Sequence, residues 1–331
     1  MNIQERIALI IKLGNYIKED NADWKMAKEM AYQKNGWFVP EFSQKASEAI
    51  ANNYLEPAAL DKWVNHYHLD DNITPKNIGI VMAGNIPLVG FADMLAVFIS
   101  GHYQTIKLSS KDDVLLKHLV QYLYKENIQV QNYISFADML KGCDAYIATG
   151  GSNAVKSFEE YFGKYPSIIR KNKTSVAILT GKETAAELES LSDDIHLYFG
   201  LGCRNVTKLY VPIGYDFVPL LQSFKTYTFF GDHHKYKNNY DYQLSIILLN
   251  NIYYMTNEST MLIENKNIFS PISQLNYEYY ENEVDLQKQL TTIEEIQCIV
   301  SNKNTAFGKA QNPDLFTYAD GVDTMEFLLT L

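Results

Sequence analysis

Asn77-Ile78-Gly79-Ile80-Val81-Met82-Ala83-Gly84-Asn85-Ile86-Pro87-Leu88 is the stretch on which the fold turns. Ile78–Met82 is a short apolar run bounded by a Gly-Asn pair, which predicts a buried strand ending in a turn. Leu88, Phe91, Leu95 and Phe98 then recur at helical spacing, and Gln104-Thr105-Ile106-Lys107-Leu108 reads as the next strand. Strand, turn, helix and strand in that order make a βαβ unit, the building block of a parallel sheet covered on both faces.

The same alternation continues downstream. Ser109 and Ser110 are candidate caps for a helix through Leu115, Leu119 and Leu123. Ile134-Ser135 predicts a third strand, and Ala145–Thr149 a fourth that ends in Gly150-Gly151-Ser152 with a helix from about Asn153. Ser175–Leu179 predicts a fifth. The acidic run Glu187–Asp194 reads as a solvated helix face, and further strands are expected near Lys208–Val211, Thr260–Ile263 and Ile296–Val300. Upstream, Ile3, Ile7, Ile10, Leu13 and Ile17 form a helical stripe, and Pro40 and Pro57 each open a further helix. The expected organisation is therefore a helical region over residues 1–72, an α/β domain over 73–186 and a second α/β domain over 187–331.

Composition narrows the partners. A chain of 331 residues favours two domains, and 47% apolar residues with 24 Tyr and 16 Phe supply ample core. A formal net charge of −10 argues against nucleic acid or an anionic membrane as the main partner. The three cysteines include no CxxC pair, so neither a disulfide framework nor a zinc site is expected. The histidine pairs His66/His68 and His233/His234 have no cluster that completes a metal site. No apolar run reaches about 18 residues, the length that would predict a bilayer span. The chain reads as a cytoplasmic, reduced protein.

Four short motifs carry chemistry. Cys203 lies in Tyr198-Phe199-Gly200-Leu201-Gly202-Cys203-Arg204-Asn205, behind two glycines and just before an apolar strand, a setting that leaves room for a nucleophilic sulfur. Asn85 stands at a strand end, where its amide can donate to a developing oxyanion or bond its own turn. Thr149-Gly150-Gly151-Ser152 joins a strand to a helix, as a phosphate-binding turn does and as an ordinary turn also does. Lys107, at the end of its strand beside Ser109 and Ser110, can meet a ribose or phosphate or simply face solvent. Cys143 and Cys298 read as core residues, and His196, seven residues before Cys203, is the candidate base for a hydrolytic reading.

Taken in this order, the motifs resemble the aldehyde dehydrogenase superfamily, and within it the fatty acyl-CoA reductase branch of the LuxC type. The resemblance runs from about Asn35 to the C-terminus and includes Asn35-Gly36-Trp37-Phe38 and Asp320-Gly321-Val322-Asp323. It implies a shortened fold of that superfamily: a Rossmann-type cofactor domain over 73–186, with the helical region packed on it, and an α/β catalytic domain over 187–331. By the same resemblance Cys203 is the catalytic nucleophile and Asn85 the oxyanion donor. Lys107, Ser109, Thr149, Gly150, Gly151, Ser152 and Phe269 then bind the cofactor, with NADPH implied and NADH as the alternative. The implied reaction converts a fatty acyl-CoA, or a thioester on an acyl carrier, to the aldehyde through an S-acyl-cysteine. A homo-oligomer is implied, with an acyltransferase or acyl-protein synthetase as partner.

Two departures from the family pattern matter. Ile178-Leu179-Thr180-Gly181-Lys182 corresponds to a Glu-Leu-Gly-Gly-Lys stretch, so Ile178 stands where hydrolytic members keep a general base. Asn267-Ile268-Phe269-Ser270-Pro271 resembles Glu-x-Phe-Gly-Pro, with Asn267 in place of the ribose-binding glutamate. A cysteine acyltransferase or thioesterase without hydride transfer is the other reading open at this point, and a scaffold that has lost catalysis is a third.

Overall fold

The computed structural model describes residues 1–331 except the side chain of Ser152, so the expected cofactor contact of that side chain lies outside the described residues. The chain forms two compact units, Met1–Asn172 with Pro313–Leu331, and Lys173–Asn312. Among the described residues no helix is long and apolar enough to cross a membrane.

The first unit begins with α1 (Ile3–Glu19), α2 (Ala22–Lys34), α3 (Pro40–Asn53) and α4 (Pro57–His66). The isoleucine stripe of α1 is buried as its spacing predicts, and Asn2 and Glu5 close a capping box at its start. Helix α2 is an addition to the sequence reading. Its buried face is Trp24, Ala27, Ala31 and the stem of Lys28, and alanines leave little hydrophobic periodicity to detect.

The sheet of this unit contains β1 (Asn77–Val81), β2 (Tyr103–Lys107), β3 (Ile134–Phe136), β4 (Ala145–Thr149) and β5 (Ser167–Arg170). Their spatial order is β3-β2-β1-β4-β5 and all pairings are parallel. The crossovers are α5 (Phe91–Ser100), α6 (Val114–Glu126) and α7 (Ser152–Phe162). Two helix starts lie later than the sequence predicts. Leu88 adopts φ 58°, a left-handed conformation that keeps Pro87 and Leu88 out of α5. Ser109 and Ser110 lie in a loop, and α6 opens at Val114 after Asp113.

The second unit has β6 (Thr174–Ile178), α8 (Ala185–His196), β7 (Val206–Pro212), α9 (Val218–Ser223) and α10 (His234–Leu249). It continues with β8 (Met255–Thr256), β9 (Met261–Glu264), β10 (Gln274–Tyr280), α11 (Glu283–Leu290) and β11 (Ile296–Val300). The sheet order is β11-β6-β7-β10-β9-β8. Strand β6 pairs with β7 and β11, so the units divide at Lys173, one strand ahead of the Ala186 that the sequence suggests. The inner strand β10 also goes beyond the sequence reading, because its tyrosines alternate with polar residues and make no apolar run.

Helix α8 departs from a fully solvated face. Asp194 is completely buried, its carboxylate accepting from the backbone N–H groups of Gly308 at 2.6 Å and Ala310 at 3.0 Å. After Asn312 the chain rejoins the first unit, where α12 (Thr324–Leu329) buries Met325 and Leu328 in the core that holds α5.

One buried ion pair joins three elements of the first unit. Arg170, at the end of β5, pairs with Asp93 of α5, and its guanidinium donates to Thr324 Oγ1 of α12 at 2.8 Å. The two charged side chains are 6% and 10% exposed, so each depends on the other for the solvation it has lost. Arg170→Met is expected to cost about 3–5 kcal/mol in denaturant unfolding because it strands a buried carboxylate. The double variant Arg170→Met/Asp93→Leu is expected to lose less than the single one, and a larger loss would contradict this account.

His196 is the polar centre of the second unit's aromatic core. Its Nδ1–H donates to the Ser192 carbonyl at 2.8 Å, and Nε2 accepts from Thr260 Oγ1 at 3.0 Å. The ring stacks on Tyr227 with centroids 4.8 Å apart and meets Phe224 edge-on. Burial pushes its pKa down to about 4, against 6.5 for a free imidazole. The unfolded chain thus binds a proton in this window that the folded chain refuses, and the stability contributed by neutral His196 is lost as pH falls through 6.5 towards 4. A gap of that size corresponds to about 3 kcal/mol. Buried Asp112 and Asp194, both raised to about 7 by burial, contribute the opposite slope. The readout is therefore the difference between the pH–stability profiles of wild type and His196→Gln, which should widen as pH rises from 4 to 6.5. Parallel profiles would contradict the assignment.

Candidate active site

The strand order of the first sheet reverses at β1. The chain runs from β1 through β2 to β3 on one side, then crosses to β4 and β5 on the other. In open α/β sheets such a reversal leaves a crevice beyond the carboxyl ends of the two strands where it occurs. The Gly84–Leu88 turn follows β1, and Thr149–Ser152 follows β4. Lys107 closes β2 opposite Val81, and its side chain is exposed. The ends of β2 and β4 are two strand spacings, about 10 Å, apart.

The Gly84–Leu88 turn packs tightly against the loop after β2. A Cβ on Gly84 would come within 2.6 Å of Ser109 Oγ and 3.2 Å of Asp112 Cβ. The buried Asp112 carboxylate accepts the Leu88 N–H at 2.8 Å and so holds the left-handed residue that follows Asn85 and Pro87. Burial pushes this carboxyl up to about 7, and the Leu88 bond opposes that rise. Ser109 itself bonds locally, its Oγ accepting from the Lys111 N–H at 3.3 Å.

The turn after β4 has the properties an anion needs. Gly151 is the N-cap of α7, and among the described residues no side chain caps that helix. A Cβ on Gly151 would meet nothing within 4 Å, whereas one on Gly150 would strike the Phe158 ring at 2.8 Å. Gly150 and Gly151 therefore bring no side chain in front of the start of α7. This suits the diphosphate of a dinucleotide.

Cys203 belongs to the second unit. Its turn is closed by the Asn205 N–H, which donates to the Gly202 carbonyl at 3.1 Å. The Cys203 carbonyl accepts from Ser175 Oγ of β6 at 3.1 Å. Immediately upstream, Tyr198, Phe199 and Gly200 are all left-handed, with φ of 57°, 57° and 72°. Left-handed backbone costs roughly 1–2 kcal/mol for a residue with a Cβ. The Phe199 ring, packed 4.5 Å from Phe230, helps offset that cost. Thr207 Oγ1 links the start of β7 to the Asn267–Pro271 loop by donating to the Ile268 carbonyl at 2.6 Å. Phe269 lies on that loop, 38% exposed, so the second unit brings together the Cys203 turn and the Phe269 segment around β7. Asn85, Lys107, Ser109 and Thr149–Ser152 belong to the first unit.

Two carboxylate or imidazole candidates for activating water are occupied. Ile178 is 1% exposed in an apolar cluster with Val176, Tyr210 and Leu286. Glu183, in the loop between β6 and α8, accepts from the Thr180 N–H at 2.6 Å, the Thr180 hydroxyl at 2.8 Å and the Gly181 N–H at 3.1 Å. His196 has both ring nitrogens engaged in the core, so it does not act as the base that a hydrolytic reading needs. The supporting residues Asp112 and Asn205 escaped the sequence reading. Asp112 sits in a charged run that looks solvated, and Asn205 carries a signal only in its closeness to Cys203.

A family model described as Acyl-CoA reductase (LuxC) matches residues 15–216. The long-chain acyl-protein thioester reductase of Aliivibrio fischeri is 24% identical over 214 residues, covering 59% of this chain and 45% of that protein. Long-chain acyl-protein thioester reductase 2 of Photobacterium leiognathi is 23% identical over 203 residues, covering 56% of this chain and 42% of that protein. The chain thus spans less than half the length of these curated relatives. Among solved structures, aldehyde dehydrogenase 21 of Physcomitrella patens, in complex with succinate, superposes with a TM-score of 0.68 at 11% identity, over 91% of this chain and 74% of that one. The indole-3-acetaldehyde dehydrogenase AldA of P. syringae, in complex with NAD+, gives a TM-score of 0.62 at 11% identity, over 91% and 72%. These likenesses concern the fold, while the family match covers well over half of the sequence: the chain belongs to the acyl-CoA reductase (LuxC) family and has an α/β aldehyde-dehydrogenase-like fold.

Proposed function

We propose that this protein reduces a fatty acyl thioester, carried on CoA or on an acyl-carrier protein, to the fatty aldehyde with NADPH. Cys203 attacks the thioester carbonyl, the C–S bond to the carrier breaks, and the carrier thiolate takes up a proton as it leaves. Asn85 and the backbone N–H of Cys203 donate to the oxygen while it is negative, in the manner of an oxyanion hole. The product of this half-reaction is an S-acyl enzyme on Cys203. A reduced nicotinamide, when bound, supplies the hydride that takes the acyl carbon to the aldehyde level. Cys203 is then the leaving group, its sulfur–carbon bond breaking as the aldehyde is released.

The observation that carries this reading is the Cys203 turn, a thiol at the apex of a backbone-locked turn ahead of β7. The engaged Glu183 and His196 and the apolar setting of Ile178 favour release by reduction over release by water. The acyl-protein thioester reductases named among the relatives suggest the substrate class, and a carrier thiol needs no water-activating base to depart. The Thr149–Ser152 turn fits the cofactor diphosphate, and Lys107 with Ser109 fits the adenosine ribose or its phosphate. Phe269 is assigned to the nicotinamide end, with Asn267 making a weaker ribose contact than a carboxylate would. A homo-oligomer working with an acyltransferase or acyl-protein synthetase completes the proposal.

Cys203→Ala is expected to abolish both S-acylation, read by intact-protein mass spectrometry, and cofactor oxidation with a panel of acyl-CoAs. Turnover at the wild-type rate in that variant would sink the proposal. Asn85→Ala should lower kcat by about 10²–10³ while S-acyl enzyme still accumulates. Lys107→Met should raise KM for NADPH and leave the rate of S-acylation unchanged. Acyl transfer to water with no dependence on either nicotinamide would favour the thioesterase reading instead.

A further inference from the structure

Asn205 is 0% exposed and stands two residues after Cys203, yet the chemistry above gives it no part. Its amide nitrogen donates to three carbonyls at the end of α8: Asp194 at 3.1 Å, Ile195 at 3.2 Å and Leu197 at 2.9 Å. Its amide oxygen accepts the Gly202 N–H at 2.8 Å. The backbone of Asn205 is held as firmly. Its N–H donates to the Gly202 carbonyl, and its carbonyl accepts from the Ser175 N–H at 3.1 Å and from Thr174 Oγ1 at 3.3 Å. Gly202 and Asn205 are thus joined twice, once through backbone and once through side chain, with Cys203 between them.

We propose that Asn205 is the positioning residue of the nucleophile, fixing the direction in which Cys203 presents its sulfur by clamping the Gly202–Asn205 turn to the end of α8. The proposal rests on the reading of Cys203 as nucleophile. The clamp is needed because the segment it spans is strained. Tyr198 and Phe199 hold a left-handed conformation that side-chain-bearing residues rarely adopt, and the α-helical bonding of α8 ends at His196, with only a kinked 3₁₀ turn over Leu197–Gly200 beyond it. An asparagine amide meets both demands with one group, two N–H bonds for carbonyls and one oxygen for an amide. A carboxylate at the same place would keep the bond to Gly202 but would turn an oxygen towards three carbonyl oxygens. Serine is too short to span both ends.

The test uses the full chain with Asn205→Ser and Asn205→Asp, with Arg170→Met as a variant destabilised in the other unit. The primary readout is the rate of iodoacetamide alkylation at Cys203 across a pH series, resolved by peptide mass spectrometry. It is accompanied by kcat and KM with an acyl-CoA, NADPH affinity and thermal unfolding. Both Asn205 variants should alter the alkylation rate and its pH profile. They should also lower kcat by about 10²-fold, the size expected for a misplaced reacting group, with KM and NADPH affinity near wild type. Arg170→Met should lose thermal stability and leave Cys203 alkylation as in wild type. Folded Asn205 variants that alkylate and turn over like wild type would overturn the proposal. If Asn205→Ser does not fold, the isosteric Asn205→Asp decides. In wild type, the Gly202 amide should exchange with solvent as slowly as the β7 amides, and fast exchange there would overturn the proposal whatever the variants do. Alkylation needs no turnover, so failure of the reductase assignment and failure of the clamp give different results.

Discussion

Parallel pairing constrains nearly everything else in this protein. Every pairing in the first sheet, and all but β8–β9 in the second, joins parallel strands. A parallel strand cannot return through a two-residue hairpin and needs a crossover that covers one face of the sheet. The strands are therefore buried on both faces, which is why β1, β4 and β6 read as short apolar runs. The same requirement sends each chain reversal at the carboxyl ends into a loop before a helix. Asn85 and the Thr149–Ser152 turn occupy such loops of the first sheet.

Such loops carry polar backbone groups at the border of an apolar interior, and two of the loops in this protein are braced by a buried polar side chain. Asp112 holds the left-handed Leu88 beside Asn85, and Asn205 ties the Cys203 turn to α8. Asp194, whose carbonyl is one of those that Asn205 bonds, accepts two amides of the 308–310 segment through its carboxylate. Burying such groups costs less than leaving the loop amides and carbonyls unbonded, and it leaves the turns with one conformation. The proposed chemistry requires that, because a nucleophile and an oxyanion donor act only when their directions are set before the substrate arrives.

Much of this was legible from the residues. The isoleucine stripe of α1, the strand–turn–helix pattern from Asn77 and the strands at 145–149 and 296–300 all stand where periodicity puts them. The elements that escaped had weak or misleading patterns. Helix α2 buries alanines, β10 alternates tyrosines with polar residues, and the acidic run on α8 hides a buried aspartate. Helix starts shifted where a left-handed residue intervened, as at Leu88, because φ is a property of packing as much as of residue type.

The order of the short motifs, together with the alternation of strands and helices, determined the fold class and named Cys203, Asn85 and the Thr149–Ser152 turn as the residues to examine. That information is local, carried by spacing and by glycine and proline, and it survives in one dimension. Tertiary structure alone decided that β6 joins the second sheet and that the C-terminal residues 313–331 return to the first unit. It also decided that Asn205 and Asp112 brace the two loops. These outcomes depend on which buried donors and acceptors meet across tens of residues of chain, and a hydrogen bond between distant residues leaves no periodic trace in the sequence.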